Sequence, residues 1–258
     1  FSGYACALTV AGTVKCWGVE GGAGIGDPSY AVPVTGLTGA TAITAGLQYN
    51  CAVISDGTAK CWGNNFVGQL GDGTTTSKNV PAEVLGFEGV TAIAGGWSHS
   101  LAVSSDGSVW AWGANTYGQL GDGTTADRLV PVQVVGLTGV MAVAAGASHS
   151  LALKSDGTVW AWGANWYGQL GNGTTTDQSA PVQVSGLTGV IGIAAGQRHS
   201  LALKSDGTVW AWGSNQFGQL GDGSNTSRSL PVKVTNLTGA VAVAGGYGHS
   251  LAVKSDGT

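Results

Sequence analysis

The chain repeats itself every fifty residues, and that period excludes most folds before any single residue is weighed. Segment 146–195 reads GASHSLALKSDGTVWAWGANWYGQLGNGTTTDQSAPVQVSGLTGVIGIAA, and close copies flank it on both sides. His99, His149, His199 and His249 keep the register, as do Trp62, Trp112, Trp162 and Trp212. A unit of this length cannot bury its apolar face alone, so a fixed period in this range means a propeller, a solenoid or an array. The units are 1–45, 46–95, 96–145, 146–195 and 196–245, with a partial sixth at 246–258, together one domain over 1–258. The first is five residues short: Cys6 and Cys16 align with Cys51 and Cys61 at an offset of 45, whereas Val34 and Gly36 align with Val84 and Gly86 at 50. The deletion therefore falls in the loop after Trp17, where change is best tolerated.

Each unit is expected to hold four short strands and no helix. Residues 149–154 and 158–162 flank Ser155-Asp156-Gly157, a strong hairpin signal. A long Gly/Asn/Thr loop spans 165–177. Residues 181–184 read as an edge strand, because Pro181 has no N–H to donate to a ladder. Residues 189–195 are small, apolar and β-branched, as expected of a buried inner strand. Four strands per repeat is the pattern of an all-β propeller built from four-stranded blades. Inner strands run on through Ala-Gly-x-x-His into the next hairpin, so each blade is expected to join the end of one unit to the start of the next. On that reading blade one lacks an inner strand and 246–258 opens a sixth blade. Further repeats completing a seven-bladed ring, or another chain completing the sheet, are the expectation.

The cysteines set the hairpin register. A three-residue loop with Gly57 left-handed places Cys51 opposite Cys61 and Cys6 opposite Cys16, whereas a two-residue loop puts each pair on opposite faces. The same register sets Trp160 across from Ala152 and Trp162 across from Ser150. Leu101 and Ala111 occupy the matching places in the next unit, so buried packing alone is one explanation. Both partners nevertheless change together, twice, which points to two disulfides and an oxidising compartment. Pairs one blade apart are too distant to share a zinc ion.

The remaining chemistry-bearing residues favour structure over catalysis. The histidines hold equivalent places in successive blades, with Tyr4 and Tyr49 in the first two, so a hydrogen-bonding role is expected rather than a metal site. The Gly-Asp-Gly-Thr-Thr-Thr-Asp loops alternate carboxylates and hydroxyls, yet Asx-turns account for them without calcium. No nucleophile elbow, phosphate loop or His-Glu-x-x-His is present, and no metal or cofactor is expected. Net charge is −4 with only 9% charged residues, which gives no general attraction to nucleic acid. No run of 18 apolar residues provides a helical membrane span.

Tryptophans fall into two sets. Trp17, Trp62, Trp112, Trp162 and Trp212 recur in every unit and read as inter-blade core. Trp110, Trp160 and Trp210 give way to Lys15 and Lys60, so that position reaches a partly wet rim. Two more break the repeat: Trp97 where other units read as Gln48, Ala147, Gln197 and Tyr247, and Trp166 where they read as Val67, Tyr117 and Phe217. With Tyr117, Tyr167 and Phe217, these are the candidate partner-binding residues.

With Gly-x-x-His-Ser-Leu-Ala-Leu, Ser-Asp-Gly-Thr-Val-Trp-Ala-Trp-Gly, Asn-x-x-Gly-Gln-Leu-Gly-Asp-Gly and Pro-Val-x-Val laid out in fixed order, the chain resembles the regulator of chromosome condensation repeat family. The resemblance implies a β-propeller, usually seven-bladed, with blade boundaries offset from the sequence repeat. Units with Cys-x9-Cys before Trp-Gly are similar to the bacterial secreted branch. That family includes a guanine-nucleotide exchange factor, chromatin-bound proteins and β-lactamase inhibitors, so membership selects no activity. The expectation is a secreted, non-enzymatic scaffold or protein-binding module, its partner another protein or a copy of itself through loops or open blade edges. An inhibitor of an extracellular enzyme is the alternative, and an exchange factor is less expected because paired cysteines argue against an intracellular role.

Overall fold

A computed structural model describes residues 3–19 and 29–258. Turn chemistry recurring at a fixed spacing produces recurring antiparallel sheets, and no helix appears among the described residues. Blade one is β1 (Gly3–Leu8), β2 (Val14–Val19) and β3 (Val32–Pro33). Blade two is β4 (Ala40–Ala45), β5 (Tyr49–Ile54), β6 (Ala59–Gly63) and β7 (Lys78–Glu83). Blade three is β8 (Val90–Gly95), β9 (His99–Ser104), β10 (Val109–Gly113) and β11 (Arg128–Gln133). Blade four is β12 (Val140–Ala145), β13 (His149–Lys154), β14 (Val159–Gly163) and β15 (Gln178–Gln183). Blade five is β16 (Val190–Ala195), β17 (His199–Lys204), β18 (Val209–Gly213) and β19 (Arg228–Lys233). β20 (Ala240–Gly245) then pairs with β21 (Ser250–Lys254). The inner strands β4, β8, β12, β16 and β20 pack side by side, as in a propeller. Among the described residues, no pairing joins β20 or β21 to β1.

The hairpins adopt the three-residue loop. Lys154 N–H donates to Thr158 O at 3.0 Å, and Gly157 sits at φ 77°, where a Cβ would be strained. Cys51 faces Cys61, Cys6 faces Cys16, Trp160 faces Ala152 and Trp162 faces Ser150. Large rings therefore lie against small partners across each hairpin.

Three local expectations need correcting. The outer strand begins at Gln178 rather than at Pro181; the ladder shifts between Ala161 and Gly163, and the irregularity accommodates a residue with no N–H. The inner strand is not buried throughout: Val190 is buried, but Ile191 is 57% exposed and the rest is half-buried. Its side chains alternate about the sheet, Ile193 and Ala195 packing against blade four and Ala194 against the strands that follow, and they remain half-buried. Finally, Trp17 is not core. Trp62, Trp112, Trp162 and Trp212 are fully buried because each inserts into the preceding blade, as Trp112 does among Cys61, Leu70 and Val84. Trp17, with no described blade before it, is 37% exposed.

Candidate interaction face

The Gly-x-x-His turns and the starts of the long loops are bound together on one face. Asn64 N–H donates to Gln48 O, Ala114 N–H to Ser98 O, Ala164 N–H to Ser148 O and Ser214 N–H to Arg198 O, each at 2.8–2.9 Å. The turns need their leading glycine: a Cβ on Gly146 would collide with the His149 ring and with Gly196 O. A buried asparagine organises each loop. Asn165 Nδ2 donates to Thr174 O and Thr176 O at 3.1 Å, while its Oδ1 accepts from Leu170 N–H at 2.9 Å. Asn65, Asn115 and Asn215 repeat the arrangement, a role that their place in the repeat did not by itself disclose. The Asx-turns are present: Thr74 N–H donates to Asp72 Oδ1 at 3.0 Å.

Beneath this face the histidines tie blade to blade. Ser200 Oγ donates to Gln169 O at 2.8 Å, so it accepts from His149 Nε2–H at 3.0 Å. His99 with Ser150 and His199 with Ser250 repeat the bridge. Each of these three Nδ1 atoms is buried without a hydrogen-bond partner. Burial pushes the His99 imidazole down to about 4 and, with His199 and His99 nearby, His149 to about 3. These rings are neutral structural donors. Among the described residues, no three His, Cys, Asp or Glu side chains converge as a metal site.

Repeat-breaking aromatics occupy the surface above. A hollow of about 240 Å³ at the axis is ringed by Leu47, Trp97, Ala147, Gln197 and Tyr247. The second repeat's member of that ring is therefore Leu47, not Gln48. Trp97 and Tyr247 stack with centroids 6.4 Å apart. A neighbouring cavity of about 220 Å³ is bounded by Trp97, Tyr117, Trp166, Gln169, Gln197 and Arg198 among others. Tyr117 meets Trp166 edge-on at 4.7 Å, and Arg198 lies 5.3 Å from the centre of the Tyr167 ring.

The backbone bonds also correct the alignment of Trp166. Val67, Tyr117, Tyr167 and Phe217 share one position, each N–H donating to the glutamine two residues on. Trp166 belongs one place earlier, with Phe66, Thr116 and Gln216. Phe66, 73% exposed, is a further surface aromatic that the misalignment hid. Phe217 stands apart from the cluster, against Gly248.

The cysteine pairs lie in the blades rather than on this face. Cys6 is bonded to Cys16 and Cys51 to Cys61, each pair with Cα atoms 4.1 Å apart.

The profile of the Regulator of chromosome condensation (RCC1) repeat matches residues 56–103, 106–153, 156–203 and 206–253. The chain belongs to the RCC1 repeat family. A second RCC1 profile matches 40–69, 90–119, 141–169 and 190–219. The first RCC1 match runs from the hairpin turn of blade two into β9 of blade three, so the sequence repeat straddles the blade boundary. None of the curated protein sequences matches the chain significantly. Solved structures superpose closely. Human WBSCR16 gives a TM-score of 0.87 at 24% identity over 98% of this chain and 70% of that one. Prp20p from Saccharomyces cerevisiae, described with its binding properties to Gsp1p and histones, gives 0.85 at 22% over 97% and 66%. Yeast RCC1 (Prp20) bound by Kap60 gives 0.86 at 24% over 99% and 67%. At these identities the likeness is one of fold, and the chain spans between 66% and 70% of the length of these three.

Proposed function

We propose that this RCC1-repeat protein is a non-enzymatic, extracellular β-propeller that serves as a scaffold or protein-binding module through its aromatic face. The observation that carries the reading is the convergence of Trp97 and Tyr117 from one repeat with Trp166 from the next, around one cavity. Trp97 and Trp166 are 36% and 45% exposed, a cost in contact with water that a docked partner removes. Exposed tryptophan with half-buried tyrosine beside an arginine is also the composition of binding hot spots. Relatives of this fold with protein ligands support it, since Prp20p is described with Gsp1p and histones and yeast RCC1 with Kap60. The bonded cysteine pairs support an oxidising compartment. Commitment of the histidines to blade-to-blade bonds supports a role without catalysis.

The test compares the immobilised protein with a Trp97→Ala, Tyr117→Ala, Trp166→Ala variant, using secreted and cell-surface proteins of the source organism. A stoichiometric partner retained by the first and lost by the second supports the proposal. Equal retention by both, or no retained protein, refutes it.

A further inference from the structure

Arg198 is the cation lining the aromatic cavity, and among the described residues it has no carboxylate partner. One Nη1–H donates to Tyr167 Oη at 3.1 Å, and the guanidinium lies over the Tyr167 ring, which fixes its position. Its other N–H groups meet no described acceptor. Beside it, Gln169 is only 2% exposed yet lines the same cavity. Its Oε1 accepts from Tyr167 N–H at 2.9 Å, and its Nε2 donates to no described residue. Two of the other repeats satisfy the equivalent amide internally: Gln69 Nε2 donates to Asn64 Oδ1 at 3.1 Å, and Gln219 Nε2 to Ser214 Oγ at 3.3 Å, whereas Gln119, beside Ala114, has no such bond but does not line this cavity. The matching position here is Ala164, which has no acceptor to offer. An amide donor without a protein partner and a fixed cation thus face one hollow walled by Trp97, Tyr117 and Trp166.

A ligand for this hollow must bring acceptors and negative charge. The uncommitted groups of Arg198 and Gln169 are donors, the Gln197 amide can turn its NH2 to the same hollow, and a neutral ligand leaves Arg198 uncompensated. At about 220 Å³ the cavity is smaller than the roughly 300–1,000 Å³ of small-molecule sites, and suits one side chain. We propose that it receives an aspartate or glutamate side chain from a loop of a partner protein, an inference that rests on the protein-binding reading above. Arg198 and Gln169 donate to the two carboxylate oxygens, and the aromatic walls cover the apolar stem. Exclusion of water by the rings strengthens the charge-assisted bonds.

The probe is a phage-displayed library of disulfide-closed loop peptides, selected on the full chain with counter-selection on Arg198→Gln. Enrichment of Asp or Glu at one position is expected. For a synthetic copy of a selected peptide titrated by tryptophan fluorescence, Arg198→Gln weakens binding by about tenfold or more. Replacing the peptide's acid by its amide costs the same factor, and the two changes together cost little more, because they remove one contact. Gln169→Ala, checked for an unchanged circular dichroism spectrum, gives a smaller loss. Selected peptides without acid enrichment, or binding indifferent to Arg198→Gln, overturn the proposal. So does a trigalacturonate that binds more tightly than every selected peptide, since it moves the carboxylate from protein to glycan. Peptides lost with Trp166→Ala but not with Arg198→Gln would leave the protein-binding reading standing while the acid pocket fell.

Discussion

Truncating Trp162 tests whether the blades are keyed to one another in the direction observed. Its indole is fully buried, packs into the preceding blade among Leu101, Val109, Leu120 and Val134, and donates Nε1–H to Gln119 O at 2.9 Å. Over the roughly 200 Å² of a buried indole, transfer at about 25 cal/mol per Å² gives an upper bound near 5 kcal/mol. The lost hydrogen bond adds little, because Gln119 O keeps a second donor in Ser150 Oγ at 2.7 Å. Trp162→Ala should therefore destabilise by about 3–5 kcal/mol. Trp17→Ala, at the same repeat position but 37% exposed, should cost about half as much. Trp160→Lys should be milder still, since that ring is only half-buried and Lys15 and Lys60 already hold the place. Guanidinium denaturation followed by far-ultraviolet circular dichroism reads all three. Equal losses for Trp162→Ala and Trp17→Ala would refute the directional insertion of each tryptophan into the blade before it.

Intact mass should rise by about 4 Da on reduction, two hydrogens for each of the two disulfides; a protein whose mass does not change lacks them. Burial holds the imidazoles of His99, His149 and His199 down from an ordinary 6.5 to about 4, 3 and 4, so the unfolded chain takes up protons that the folded one refuses. Their contribution is intact above pH 6.5 and is lost as pH falls towards 3–4. Denaturant midpoints should drop over that window, and His149→Tyr, with the residue already used at position 49, should flatten the slope. Asn165→Ala should cost about 2–3 kcal/mol by orphaning Leu170 N–H and two loop carbonyls, with hydrogen exchange accelerating across 170–177.

Legibility in the sequence followed the range of the interaction responsible. The hairpin register of Cys51 with Cys61 was readable because a three-residue turn and a period of two leave one solution that keeps both sulfurs on one face. Blade composition was readable because strands separated only by Gly-x-x-His must lie close. The start of the outer strand was not, because a bulge before Val182 lets Pro181 sit inside a strand that its missing N–H appeared to begin. The exposure of Trp17 was hidden for a different reason: its environment is set by the blade it inserts into, and its local motif is identical to that of Trp62. The aromatic cluster lay furthest out of reach. Tyr117 meets Trp166 across 49 residues and Arg198 reaches Tyr167 across 31, contacts that exist only once the blades are stacked.

The same stacking separates rigid positions from free ones. At each blade junction from the third to the fifth, a serine and a tryptophan both donate to one glutamine carbonyl of the blade before: Ser100 and Trp112 to Gln69, Ser150 and Trp162 to Gln119, Ser200 and Trp212 to Gln169. Those residues barely vary, since losing one leaves a buried polar group or a void. Positions 47, 97, 147, 197 and 247 carry no such duty and hold Leu, Trp, Ala, Gln and Tyr. Their backbone is nevertheless held by bonds between neighbouring turns, as in the bond from Ala147 N–H to Gln197 O at 3.1 Å. Side chains placed there are thus presented from a pre-ordered surface, with little left to immobilise when a partner arrives. A scaffold of this kind changes its specificity by substituting rim residues, and the frame contributes too: Ala114 and Ala164 offer no side-chain acceptor to Gln119 and Gln169, and of these two amides Gln169 lines the aromatic cavity.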